Sequence, residues 1–248
     1  MDSAAGERAR FEALKEELRA MPRAADGAVL TFGLPEIDGH LPGAGLVTGL
    51  HELCPQDADL PSEAVATQVA ALLLGRGSGS VVWILSRRFL FAPGLAEVGL
   101  SPSRAIFVET NNEAAILGTA EEALRNGGFG GVVLETHRLS LTASRRLQLA
   151  AESTGTVCLA LRRWKRGAEP QAGTSALTRW TVGPQPSLAR SGLPRPSWRL
   201  ELVRCRGGWP SIWTVELEGE HAGAPLSLRL AAELARPTAG TAAGRIAA

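Results

Sequence analysis

One stretch of the chain has the layout in which a phosphate is commonly held, yet it lacks the residues that would hold one. The apolar strand candidate GLVTGLHEL (45–53) runs into the loop CPQDADLPSEA (54–64). An apolar helix follows from about 62 to 74, with Ser62 as its N-cap. Strand, loop and helix in that order make a P-loop, where glycines admit phosphate to backbone N–H groups and a lysine neutralises it. Residues 54–64 contain neither glycine nor lysine. Asp57, Asp59 and Glu63 would repel phosphate instead, and Pro61 has no N–H to donate. The glycine clusters GRGSG (75–79) and GGFGG (127–131) close helices and enter strands, so they read as turns.

Other catalytic patterns are absent. There is no HExxH, no GxSxG elbow and no clustered set of metal-ligating side chains. His40, His51, His137 and His221 are scattered and read as structural or surface imidazoles. Cys54, Cys158 and Cys205 lie 104 and 47 residues apart, which suits neither a metal clip nor a disulfide framework. A reducing cytoplasm is the simplest setting for them. No run of 18 apolar residues predicts a membrane span, and the charged start MDSAAGERARFEALKEELRA lacks a secretory h-region.

Charge points elsewhere. The chain of 248 residues carries +1 overall, but unevenly. Residues 1–135 hold 10 basic against 18 acidic residues, a net −8, while 136–210 hold 13 against 3, a net +10. The last part, 211–248, holds 3 against 4, a net −1. The densest run is RRWKRGAEPQAG (162–173), with Arg162, Arg163, Lys165 and Arg166 around Trp164. Cations beside an aromatic can hold phosphate while the ring stacks on a base. A solvated loop whose Trp packs on the sheet is the plain alternative.

The elements that position these residues follow from hydrophobic pattern. Phe11, Leu14, Leu18 and Met21 recur at helical spacing, and Pro22–Gly27 then reads as a linker. That apolar stripe is a candidate docking surface for a partner; folding back on its own domain is the alternative. Beyond it, the apolar strands VVWILS (81–86), AIFVET (105–110), GVVLET (131–136) and TVCLAL (156–161) alternate with helices at 112–125 and 143–152. This predicts an α/β fold with a parallel sheet covered on both faces. ALTRWTV (176–182), WRLELVRC (198–205) and SIWTVEL (211–217) then alternate like antiparallel strands, the last two forming a hairpin. The small, polar end of the chain reads as a tail.

Several of these segments together resemble a known family. FGLPEIDGHLPGAGLVTGLHEL (32–53), PGLAEVGL (93–100), EALRNG (122–127) with its following strand, and WRLELVRCRGG are similar to ImuA proteins. These are damage-inducible, RecA-like mutagenesis proteins of bacteria, and the resemblance covers about residues 28–220. It implies a RecA-like core with a mostly parallel central sheet, an N-terminal helix and C-terminal antiparallel strands. The expected layout is a helix and linker at 1–27, the degenerate RecA-like domain at 28–235 and a tail at 236–248. Against RecA recombinases, Pro61, Ser62 and Glu63 fall where Gly-Lys-Thr would lie. Arg87 falls at the catalytic glutamate and Glu135 at the Walker-B aspartate. Residues 162–173 correspond to the mobile loop that faces DNA in those recombinases.

The resemblance thus implies a non-catalytic accessory protein with no cofactor, working in the cytoplasm and at the nucleoid when engaged. Its implied partners are an ImuB-like polymerase scaffold and an error-prone replicative-type polymerase, with RecA, DNA and a second copy of itself left open. A SulA-like inhibitor of cell division and an active RecA-type ATPase are the alternative readings.

Overall fold

The computed structural model describes residues 27, 29–86, 90–110, 112–163, 173–187, 195–219 and 226–231. The expected N-terminal helix with Phe11, Leu14 and Leu18, and the C-terminal tail, lie outside the described residues.

The described residues form one nine-stranded sheet: β1 (Gly49–Pro55), β2 (Val81–Leu85), β3 (Ala105–Glu109), β4 (Gly131–Thr136), β5 (Val157–Arg162), β6 (Thr178–Gln185), β7 (Ser197–Cys205), β8 (Ser211–Glu218) and β9 (Ser227–Leu230). Their order is β3-β2-β4-β5-β1-β6-β7-β8-β9. The first six strands pair in parallel, and β6 through β9 pair antiparallel. The helices are α1 (Pro35–Asp38), α2 (Leu60–Arg76), α3 (Ala92–Glu97), α4 (Glu113–Asn126) and α5 (Leu141–Thr154), with a 3₁₀ turn at Pro102–Arg104.

Strand parity builds two cores. Trp83, Leu85, Val133, Leu159, Leu161 and Trp180 point to the face covered by α2 and α3. Val82, Ile84, Val132, Leu134, Cys158 and Ala160 point to the opposite face, under α4 and α5. A strand buried on both faces needs apolar residues at every position, which is why these segments read as unbroken apolar runs. The antiparallel strands instead alternate: Trp198, Leu200 and Leu202 are buried while Arg199, Glu201 and Val203 are not.

Two boundaries differ from expectation. The first strand starts at Gly49, because Leu46 pairs instead with Leu30 in an isolated antiparallel bridge. The helix after it starts at Leu60 and is capped by Asp59, whose side chain accepts the Ser62 N–H at 2.8 Å. Pro61 therefore occupies the first turn, where a missing N–H costs nothing. Ser62 is buried in that turn and is not the cap. Strand β9 was not among the predicted elements.

Candidate functional site

The loop after β1 turns its own groups onto the helix end that would otherwise face a ligand. The Asp59 carboxylate takes the N–H of Ser62, and that bond holds its carboxyl below the usual carboxylate range. Gln56 donates its N–H to Val182 O at 2.7 Å, fixing the loop against β6. The peptide oxygen of Glu63, one turn into α2, accepts from Arg163 at 3.2 Å.

That arginine defines the floor of the site. Arg163 follows directly on β5; its Nε donates to Glu135 Oε2 at 3.1 Å and its Nη2 to Thr67 Oγ1 at 2.9 Å. The other carboxylate oxygen of Glu135 accepts from the indole N–H of Trp83 at 2.9 Å. Both carboxylate oxygens of Glu135, near the end of β4, are thus engaged by protein donors. Arg163 and Glu135 are only 13% and 14% exposed, so their attraction is weakly screened. Above them lies a pocket of about 300 Å³ whose walls include Leu60, Ala64, Leu90, Phe91 and Leu95. Phe91 and Leu60 are highly exposed at its mouth. Glu63, Thr67 and Gln68 also line it, so the cleft pairs an apolar wall with an acidic side chain and an internally neutralised floor, which does not suit a polyphosphate.

The opposite face of the sheet holds a second buried network. Glu52 in β1 is fully buried and meets Arg162 at 3.0 Å and Arg179 at 3.2 Å. The Thr174 hydroxyl also donates to Glu52. Arg162 gives a further bond to His137 O at 3.1 Å, and Arg204 holds the oxygens of Thr174 and Ala176 at 3.0 and 2.6 Å. The segment 173–177 is thereby tied down over the ends of β1 and β6.

These contacts correct the expectation that Arg162 and Arg163 open a DNA-facing loop. Strand β5 runs through Arg162, and alternation sends the two side chains to opposite faces, each onto a carboxylate. Arg162 is 2% exposed. Trp164, Lys165 and Arg166, and also Arg87, lie outside the described residues. Glu63 and Glu135 line one pocket and are linked through Arg163, while Pro61 and Ser62 stand in the first turn of α2. Glu52, Arg179 and Arg204 were missed. The available signal was an acid inside the apolar GLHEL and an arginine closing the apolar TVCLALR, since charges in buried strands must be paired.

The remaining candidate chemistry is structural. His51 is buried, with Nδ1 at 2.8 Å from Thr178 Oγ1 and Nε2 at 2.7 Å from Val47 O. Burial lowers its pKa to about 4, only partly offset by the Val47 carbonyl, so the ring is neutral. Cys54 is pushed up to about 12, by burial first and then by the Glu52 charge, which makes it a poor nucleophile. Among the described residues no cluster of His, Cys, Asp or Glu could hold a metal ion, and no helix is long and apolar enough to cross a membrane.

Fold and site together define an α/β protein with a mostly parallel sheet, in which Asp59 caps the helix after β1 and Arg163 and Trp83 hold Glu135. No family model matches the chain. Protein ImuA of Caulobacter vibrioides, in strains NA1000 / CB15N and ATCC 19089 / CIP 103742 / CB 15, is 39% identical over 222 residues. The match spans 84% of this chain and 90% of the relative. The chain belongs to the ImuA family. Among solved structures, SulA from Pseudomonas aeruginosa matches 46% of this chain and 96% of its own, at 25% identity and a TM-score of 0.40. That score is too low to argue a shared fold.

Proposed function

We propose that this protein is a non-catalytic, RecA-like accessory of damage-induced mutagenesis, which supports translesion synthesis by binding other proteins. The observation that carries the reading is the closed site: Asp59 caps α2, Pro61 stands in its first turn, and Arg163 occupies Glu135 and Thr67. A site that has spent its donors and its carboxylate on itself has little left for Mg-ATP. Membership of the ImuA family supplies the biological setting. The partners in this reading are an ImuB-like scaffold and an error-prone replicative-type polymerase, with RecA as a further one. The apolar stripe of Phe11, Leu14 and Leu18 is the candidate docking element. Trp164, Lys165 and Arg166 are the candidate DNA contacts, without the two arginines that precede them.

Deleting the gene tests this. Ultraviolet-induced mutation frequency should fall at least tenfold and return with the wild-type gene, while overexpression should leave cell length unchanged. Unchanged induced mutation together with filamentation on overexpression would favour a SulA-like role instead.

A further inference from the structure

Negative charge runs short where β6, β7 and the segment 173–177 meet. Among the described residues Glu52 is the one carboxylate of that network, and Arg162 and Arg179 already share it. Arg179 stands directly opposite Arg204 in the β6–β7 ladder, beside a register shift. Like charges facing across two strands repel, and such a shift marks a bulge, a device common next to binding sites. Arg179 keeps a buried Nε without an acceptor. Burial first, then Arg179 and Arg206, hold the Arg204 guanidinium below its ordinary pKa, while Glu52 opposes them. Arg204 and Arg206 donate to oxygens of Thr174, Ala176 and Ser175, and neither meets a carboxylate among the described residues. The cluster carries positive charge that the chain does not balance.

Strand β7 passes from Arg204 into a turn closed by the Gly208 N–H on Cys205 O at 3.4 Å. Arg206 in this turn is exposed, and Trp209 just after it is 79% exposed. The other described tryptophans, Trp83, Trp180, Trp198 and Trp213, belong to the core or pack against it. The Trp209 carbonyl accepts from His40 Nε2 at 2.8 Å, so the backbone is fixed while the indole is left in water. A lone exposed ring is ordinary. This one lies three residues from Arg206, at most roughly 11 Å along the chain. A ring that close to unbalanced cations offers a stacking face beside a grip for phosphate.

We propose that this corner of the sheet binds single-stranded nucleic acid, with Arg204 and Arg206 on backbone phosphate, Arg179 behind them, and Trp209 stacked on a neighbouring base. A single strand fits best because only an unstacked base presents its face to a ring. A duplex or an acidic peptide would use the cations and leave the indole idle. The inference extends the nucleic-acid contact proposed for Lys165 and Arg166 but uses neither residue, so either can fail alone.

Fluorescence anisotropy of a labelled oligothymidylate with the full chain tests it. Trp209→Ala should weaken binding about tenfold, and Trp209→Phe should recover most of that loss. Arg206→Ala should lower the slope of log affinity against log salt by about 0.7, the share of one phosphate contact on a single strand. Both residues are exposed, so thermal melts of these variants should match the wild type. A duplex of the same length should lose less than about threefold on Trp209→Ala. In a chain that already carries Lys165→Ala and Arg166→Ala, both effects should persist. Wild-type affinity and slope in Trp209→Ala and Arg206→Ala, or no binding by the unmodified chain at low salt, would overturn the proposal. So would binding of polyglutamate that Arg206→Ala abolishes while Trp209→Ala changes no ligand, a result that assigns the corner to an acidic protein partner.

Discussion

Replacing Arg162 by methionine keeps the length of the side chain and removes the charge that faces Glu52. The carboxylate it leaves behind is fully buried, and Arg179, at 3.2 Å and 18% exposed, remains as a second, more solvated partner. Cutting one partner of a buried pair commonly costs about 3–5 kcal/mol, because the other charge stays behind without compensation. Arg179 and the Thr174 hydroxyl place Arg162→Met near the lower end, about 3 kcal/mol. For a domain of this size that corresponds to a Tm lower by roughly 6–12 °C. Replacing both partners, Glu52→Leu with Arg162→Met, removes the stranded charge and should recover about 2 kcal/mol relative to additivity. Urea denaturation followed by circular dichroism on both single variants and the double variant gives the coupling energy. A loss below about 0.5 kcal/mol for Arg162→Met, or strict additivity, would show that the pair is not the buried clamp described above.

Three further outcomes follow from the same contacts. His51 has its pKa lowered to about 4 in the folded chain against 6.5 unfolded, so the unfolded state binds the extra proton between those values. Its share of stability is complete above pH 6.5 and disappears as pH falls towards 4; it amounts to about 3 kcal/mol in all. His51→Gln should flatten the stability profile in that window, measured as urea midpoints at half-unit steps. Arg163→Met frees Glu135 and Thr67 together and should cost about 2–3 kcal/mol, checked by thermal melting, while Lys165→Ala leaves the melt unchanged. On single-stranded DNA, Lys165→Ala with Arg166→Ala should reduce the slope of log affinity against log salt by about 1.4, at ~0.7 per phosphate contact. An unchanged slope in fluorescence anisotropy would assign this segment to a protein partner.

The parallel half of the sheet was readable because burial on both faces leaves an apolar run, as in Val81–Leu85 and Gly131–Leu134. Strands β6 to β8 were readable from alternation around Trp180, Leu200 and Leu202. The four residues of β9 are too few to show a period, and their pairing of Leu228 with Leu217 depends on β8 being in place. The cap of α2 was ambiguous because Asp59 and Ser62 are both capping residues. Only the position of Pro61, tolerated inside the first turn, separates them. The run Arg162–Arg166 looked like one charged loop because local charge density says nothing of where a strand ends. One more residue in β5 sends two of its cations to opposite faces, and the carboxylates that receive them lie 110 and 28 residues away in sequence.

Calorimetric titration of the full-length protein with Mg-ATP tests the central claim most directly, namely that capping by Asp59 and the hold of Arg163 on Glu135 leave no place for a nucleotide. A P-loop obtains about 1.5–3 kcal/mol from each charge-assisted hydrogen bond to phosphate, and several such donors are missing here. The account predicts no saturable heat up to millimolar nucleotide. Saturable binding at micromolar Mg-ATP, abolished by Glu135→Gln, would contradict it.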